Sequence, residues 1–288
     1  MNHSKLTSLA TISLLGAAML GVSACAGKND SSAGSDQLST DQNALVSDGT
    51  AGAQAGDTSA SMATIPVLGL TTSAQIADPG VAATAAAAPE WRASYFKPAG
   101  CVSADRVGNV VTYTFNACTG PFGLVAINGK IIATYSAGAG GGLDVSTTSQ
   151  GLTVAGEAAT QTGSGHLAWA GTSRTFNWKG EWKGTTPKGY PIDHHGEHNV
   201  SWDTATECVE RDGSGSTTVS APGGDRTHSH TLSGYKRCAG YCPQSGTLVL
   251  TGAKGLSMTL KFLGAASLEV TGPKGGVIDV PLECTPQK

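Results

Sequence analysis

From Cys101 onward, apolar and polar residues alternate with a period of two, the pattern that sends successive side chains to opposite faces of a strand. Val111, Tyr113 and Phe115 oppose Val110, Thr112 and Thr114. Phe176, Trp178 and Trp182 oppose Thr175, Asn177, Lys179, Glu181 and Lys183. Leu256, Met258, Leu260 and Phe262 oppose Ser257, Thr259 and Lys261. Each run predicts a half-buried strand. Turn-forming residues separate the runs about every ten residues, as sequential hairpins require. Asn128-Gly129 gives the strongest hairpin signal, because both positions tolerate positive φ. Further breaks are Asp212-Gly213-Ser214-Gly215, Pro222-Gly223-Gly224, Gly252 to Gly255 and Gly272 to Gly276, with a flexible loop at Gly138 to Gly142. No segment shows a capped helical pattern of useful length. The expected fold is an all-β antiparallel meander of hairpins, arranged as a curled sheet, a sandwich or a barrel.

The pattern changes before Trp91. All five Trp, six Tyr and five Phe fall at or after that residue, so the first ninety residues lack the aromatic side chains that anchor cores. Ala26 to Glu90 is dominated by Ala, Gly, Ser, Thr, Asp and Gln and carries one Lys against seven acids. Such a segment is expected to be a disordered tether spanning roughly 40–50 Å, because it has little apolar surface to offset its ordering entropy. Its Ile65-Pro66-Val67-Leu68-Gly69-Leu70 patch is either a short docking segment or an apolar interruption in a coil. The single folded domain is then expected at residues 91–288, where sixteen Lys plus Arg face fourteen acids without a basic run. That distribution argues against a nucleic-acid partner.

The first residues read as a targeting segment. His3 and Lys5 form a polar start, Leu6 to Leu20 is mostly apolar, and no acid precedes Asp30. The apolar stretch falls short of the roughly 20 residues a spanning helix needs. Val22-Ser23-Ala24-Cys25 resembles the lipobox of bacterial lipoproteins, with small residues before a cysteine that accepts lipid. This resemblance implies a signal peptide over residues 1–24, lipid attachment at Cys25 and a tether over 25–90. The membrane would then be a partner through that lipid, each buried CH₂ contributing about 0.8 kcal/mol. Ala26 after the cysteine, in place of Asp, implies sorting to the outer membrane of the cell envelope.

Six cysteines follow Cys25, and in an exported chain an even count implies three disulfides with fifteen possible connectivities. Proximity favours Cys101 with Cys118, and the remaining four are expected as Cys208 with Cys238 and Cys242 with Cys284. Cys238-Ala239-Gly240-Tyr241-Cys242 has the wrong spacing for a redox C-x-x-C pair and is read as structural. Phrases such as Val111-Thr112-Tyr113-Thr114-Phe115 and Cys242-Pro243-Gln244-Ser245-Gly246 resemble strands of uncharacterised cysteine-bearing β-rich lipoproteins. That resemblance implies envelope residence and no particular activity.

Candidate chemistry is confined to one cluster. Five of the seven histidines lie in Asp193-His194-His195-Gly196-Glu197-His198 and in His228-Ser229-His230. Alternate histidines on a strand share a face, so His228 and His230 are candidate metal ligands, with a third imidazole from His198 or from His194 and His195. Glu197 would then be the candidate base toward metal-bound water. The spacing matches no established metal motif, and the plainer reading has His228 and His230 on a solvated strand face and His194-His195 in a loop after Pro191. Trp169, Trp178, Trp182, Tyr190 and Trp202 are candidates for stacking on sugars, but alternation assigns Trp178 and Trp182 to the core. No nucleophile elbow, phosphate loop, dinucleotide fingerprint or calcium loop is present, and no cofactor is implied. The leading expectation is a non-enzymatic envelope lipoprotein that binds a protein or glycan partner or serves structurally. The alternative is a metal-binding or metal-dependent lipoprotein built on the histidines.

Overall fold

The computed structural model describes residues 44–282, apart from 121–123, 125, 187, 204, 239–240 and 253–254. The signal segment, Cys25 and Cys284 lie outside the described residues.

Thirteen antiparallel strands pair in strict sequence order within one sheet. They are β1 (Val102–Val107), β2 (Val110–Cys118), β3 (Ile127–Ala137), β4 (Leu143–Val154), β5 (Glu157–Ala170), β6 (Ser173–Thr185) and β7 (Pro191–Asp203). After these come β8 (Cys208–Ala221), β9 (Gly224–Cys238), β10 (Ser245–Thr251), β11 (Ser257–Phe262), β12 (Ser267–Thr271) and β13 (Val277–Pro281). Among the described residues β1 and β13 do not pair, so the meander is one open sheet and neither a sandwich nor a closed barrel. Cys208 pairs with Cys238 across β8 and β9, where they form a disulfide, and Cys101 is bonded to Cys118. Cys242 is also disulfide-bonded.

Alternation predicts the faces well. Val111, Tyr113, Phe115, Phe176, Trp178, Trp182, Met258, Leu260 and Phe262 are all buried on one face. Two predicted turns are absent. Asn128-Gly129 lies inside β3 at a bulge, where Gly129 takes φ 96° and a Cβ would meet the Gly151 carbonyl oxygen at 2.2 Å. The positive φ that marks a hairpin is used there to bulge a strand. Asp212 to Gly215 lies in the middle of β8, paired with β7. Its Gly215 belongs to a cross-strand row on the inner face, Gly163, Gly180, Gly196 and Gly215, in register across β5 to β8. The row makes room for rings: a Cβ on Gly163 would lie 2.3 Å from Trp178 Cζ2, and one on Gly215 would lie 2.5 Å from His194 Cε1.

The largest departure from expectation concerns the tether. From Leu45 the chain is helical: a π-helical turn (Leu45–Gly49), α1 (Thr50–Thr64), a 3-10 turn (Ile65–Val67), α2 (Ser73–Ile76), α3 (Pro79–Ala87) and α4 (Pro89–Tyr95). The disordered tether assigned through Glu90 therefore does not extend into residues 44–90, and the folded unit does not begin at Trp91. Asp78 caps α3 by accepting hydrogen bonds from the Gly80 and Val81 amides at 2.7 and 3.0 Å.

Small side chains explain how α1 packs with Met62 as its one large apolar residue. Gly52, Gly56 and Ala60 recur every four residues, letting the helix backbone approach the glycine-bearing strands closely. A Cβ on Gly52 would lie 2.8 Å from Thr217 Oγ1. Met62, Ile65 and Leu70 are fully buried, each worth about 1.5–3 kcal/mol of burial. Inward-facing polar side chains satisfy the segment's carbonyls. Gln161 donates to Ser59 (3.0 Å), Tyr135 to Pro66 (2.8 Å) and Arg174 to Leu70 (2.6 Å). The patch at residues 65–70 is thus a docked element.

Candidate functional site

The five candidate histidines separate into three environments. His194 and His198 face inward from β7, and His230 faces inward from β9. All three are buried, and one ligand-capable nitrogen from each lies within 4.8 Å of the others. The His194 and His230 rings stack with centroids 5.4 Å apart, and those of His198 and His230 lie 6.4 Å apart.

His195 and His228 do not join them. His195 points outward from β7, beside Asp193 at 3.2 Å and Glu181 at 3.5 Å. His228 is buried one step along β9, 3.8 Å from Asp48, whose carboxylate also meets Arg226 at 2.6 Å. Glu197 is exposed on the opposite face from the three inward rings, so it is not placed as a base for anything they hold. Strand parity separates His195 and Glu197 from the inward rings, while His228 shares the face of His230 and is set apart by its pairing with Asp48.

The floor beneath the three rings is glycine. A Cβ on Gly213 would lie 2.3 Å from His198 Nδ1, and one on Gly215 would lie 2.7 Å from His230 Cε1. The roof is α1, where a Cβ on Gly56 would lie 2.8 Å from His230 Cε1 and 3.1 Å from His194 Cε1. His194 Nδ1 is hydrogen-bonded with Thr217 Oγ1 at 2.8 Å, while His194 Nε2 and both His198 ring nitrogens have no hydrogen-bond partner among the described residues. Arg211 reaches the same region from β8 and is ion-paired with Asp57 of α1.

Burial keeps these rings neutral. Desolvation, followed by the His230 and His195 charges, pushes His194 down to about 3. Desolvation and then Arg211 push His230 down to about 4. His198 is held well below the ordinary imidazole range by desolvation first, then by Arg211 and the two other rings. Thr217, Arg211, Asp57 and Gly56 escape a search for ligand residue types. Only their parity along β8 and the small-residue spacing of α1 hint at them.

The face of the sheet opposite α1 carries a groove of about 850 Å³ over the middle strands. Register builds it from two parallel polar rows. One row is Ser136, Asp144, His166, Asn177, Asn199 and Asp212 across β3 to β8. The other is Ser146, Ser164, Lys179, Glu197, Ser214 and Thr231 across β4 to β9. Between them runs bare backbone at Val145, Gly165, Trp178, His198 and Gly213, whose side chains or open Cα positions face the core. His166 Nδ1 is paired with Asp144 at 2.6 Å, which fixes its ring. The groove was not foreseen in the sequence, although its lining is the outward half of the same alternation that marks the core. Trp178, Trp182 and Trp202 are buried on the inner face and offer no stacking platform to the groove. Comparison with protein-family models, curated proteins and solved structures returns no match to this chain.

Proposed function

We propose that this chain is a lipid-anchored, non-enzymatic binding protein of the cell envelope, attached to the outer membrane through Cys25, whose outer-face groove takes a hydroxyl-rich glycan. One observation carries the reading: the groove's two in-register rows present short hydroxyl, amide and carboxylate groups along a strip of strand backbone. Such groups match the alternating donors and acceptors of a sugar chain. Asp144, Glu197 and Asp212 against Lys179 leave the lining mildly acidic, which favours neutral or amino sugars over phosphate-bearing ones. With the tryptophans turned inward, affinity rests on hydrogen bonds, and loss of one buried pair costs about 1 kcal/mol.

The test is binding of the purified full chain to immobilised envelope and plant oligosaccharides, repeated with Asn177→Ala plus Asn199→Ala. Glycan binding that falls at least about fivefold in the double variant supports the reading, in line with two lost hydrogen bonds. Absence of glycan binding, or binding untouched by the double variant, refutes it. The anchor is tested separately by Cys25→Ser and cell fractionation, with membrane retention of a mature-sized product counting against lipid attachment.

A further inference from the structure

We propose that His194, His198 and His230 form a binding site for a late first-row divalent metal ion, zinc or copper(II), enclosed between α1 and the sheet. This site lies on the inner face and does not depend on the reading of the groove.

Three observations converge on it. Three imidazoles from two strands present nitrogens within 4.8 Å of one another, and an all-imidazole donor set suits zinc and copper over magnesium or calcium. The rings are buried, and three of their nitrogens lack any hydrogen-bond partner among the described residues. Each such buried polar atom costs about 1–3 kcal/mol, a cost that a metal ion would remove at His194 Nε2 and at one of the two His198 nitrogens. Thr217 supplies the outer support metal-bound histidines commonly have: with Nδ1–H of His194 donating to Thr217 Oγ1, the Nε2 lone pair is left to bind.

Geometry sets the adjustment needed. Two imidazole nitrogens about 2.0–2.1 Å from a tetrahedral ion stand roughly 3.3 Å apart. The present spread of up to 4.8 Å must therefore close by about 1.5 Å on binding. Arg211 opposes a cation there, and its ion pair with Asp57 offsets that charge. Because all three ligands come from the sheet, bound metal would link β7 to β9 beneath α1, whose Gly56 covers the rings.

The test uses the purified full chain, stripped with a chelator and dialysed. Elemental analysis after zinc loading should find one zinc per chain, zinc should raise Tm, and cobalt(II) should give the visible absorption of a low-coordinate, imidazole-ligated ion. His198→Ala and His230→Ala should each abolish the cobalt spectrum, while His195→Ala and His228→Ala should keep it. Thr217→Val should weaken zinc binding roughly 10- to 100-fold. If an alanine variant fails to fold by circular dichroism, the wild-type zinc stoichiometry and cobalt spectrum decide the matter. A wild-type chain that retains no zinc or copper and shows no Tm shift overturns the proposal. Equal loss of cobalt binding in the His195→Ala variant overturns it as well.

Discussion

Acidification to about pH 5, with chelator present to exclude metal, should remove about 4 kcal/mol of stability through His194 and His230 alone. An unfolded imidazole titrates near 6.5, whereas burial pushes these two down to about 3 and about 4 in the folded chain. Between those limits the unfolded chain binds protons that the native state refuses. Stability is therefore full above about pH 6.5 and falls as pH drops toward the folded values. At pH 5 the gap is about 1.5 units for each ring, and at 1.36 kcal/mol per unit each contributes about 2 kcal/mol. His198 and His228, also lowered by burial, add to the loss, Asp48 opposing the effect at His228. Carboxylates contribute little there, since ordinary Asp and Glu titrate near 4. The assay is urea unfolding at about pH 7.5 and 5, on the wild type and on His194→Gln plus His230→Gln. The double variant should lose about 4 kcal/mol less than the wild type between the two conditions. A wild-type loss under about 1 kcal/mol, or an equal loss in the variant, would refute buried neutral imidazoles.

Gly163→Ala should destabilise the chain by about 2–3 kcal/mol in urea unfolding, because the new methyl meets Trp178 Cζ2 at 2.3 Å and the Lys179 carbonyl oxygen at 2.5 Å. Cys208→Ser with Cys238→Ser removes a link closing thirty residues and should cost about 3–4 kcal/mol in the chain-entropy model, measured the same way. Limited digestion with a protease of broad specificity should leave a resistant fragment that starts before Leu45. Abundant cuts between residues 50 and 70 would contradict the docking of α1.

The strands were legible because each carries large apolar residues every second position, as at Val111, Tyr113 and Phe115 or Met258, Leu260 and Phe262. The helical segment was not, because its packing signal is the absence of side chains. Gly52 and Gly56 look like linker composition until Thr217 and the His194 and His230 rings are known to lie against them. The same reason hid Gly213 and Gly215, which look like a turn and serve as space for imidazoles. Of the candidate site, the sequence supplied all three inward histidines but also His195 and His228. Setting His195 aside needed the knowledge that Asp193 to His198 is one unbroken strand with even-numbered residues facing in, and setting His228 aside needed the position of Asp48.

The docking of α1 also sets an order of events during folding. Among the described residues every strand pairs only with its sequence neighbours, so each hairpin can form as soon as its two strands exist. The helical segment is different, since its carbonyls at Ser59 and Leu70 are bound by side chains more than one hundred positions later, and Asp57 by Arg211. Synthesised early, it has no surface to settle on until β5 to β9 have been assembled. Its arrival is then a closing step, in which the longest loops of the molecule are shut at once and the inner face loses its exposure to water. A protease or chaperone acting before that step would meet an assembled sheet with its apolar side uncovered. A change such as Gly56→Leu would therefore be expected to trap the chain late, with native hairpins already paired.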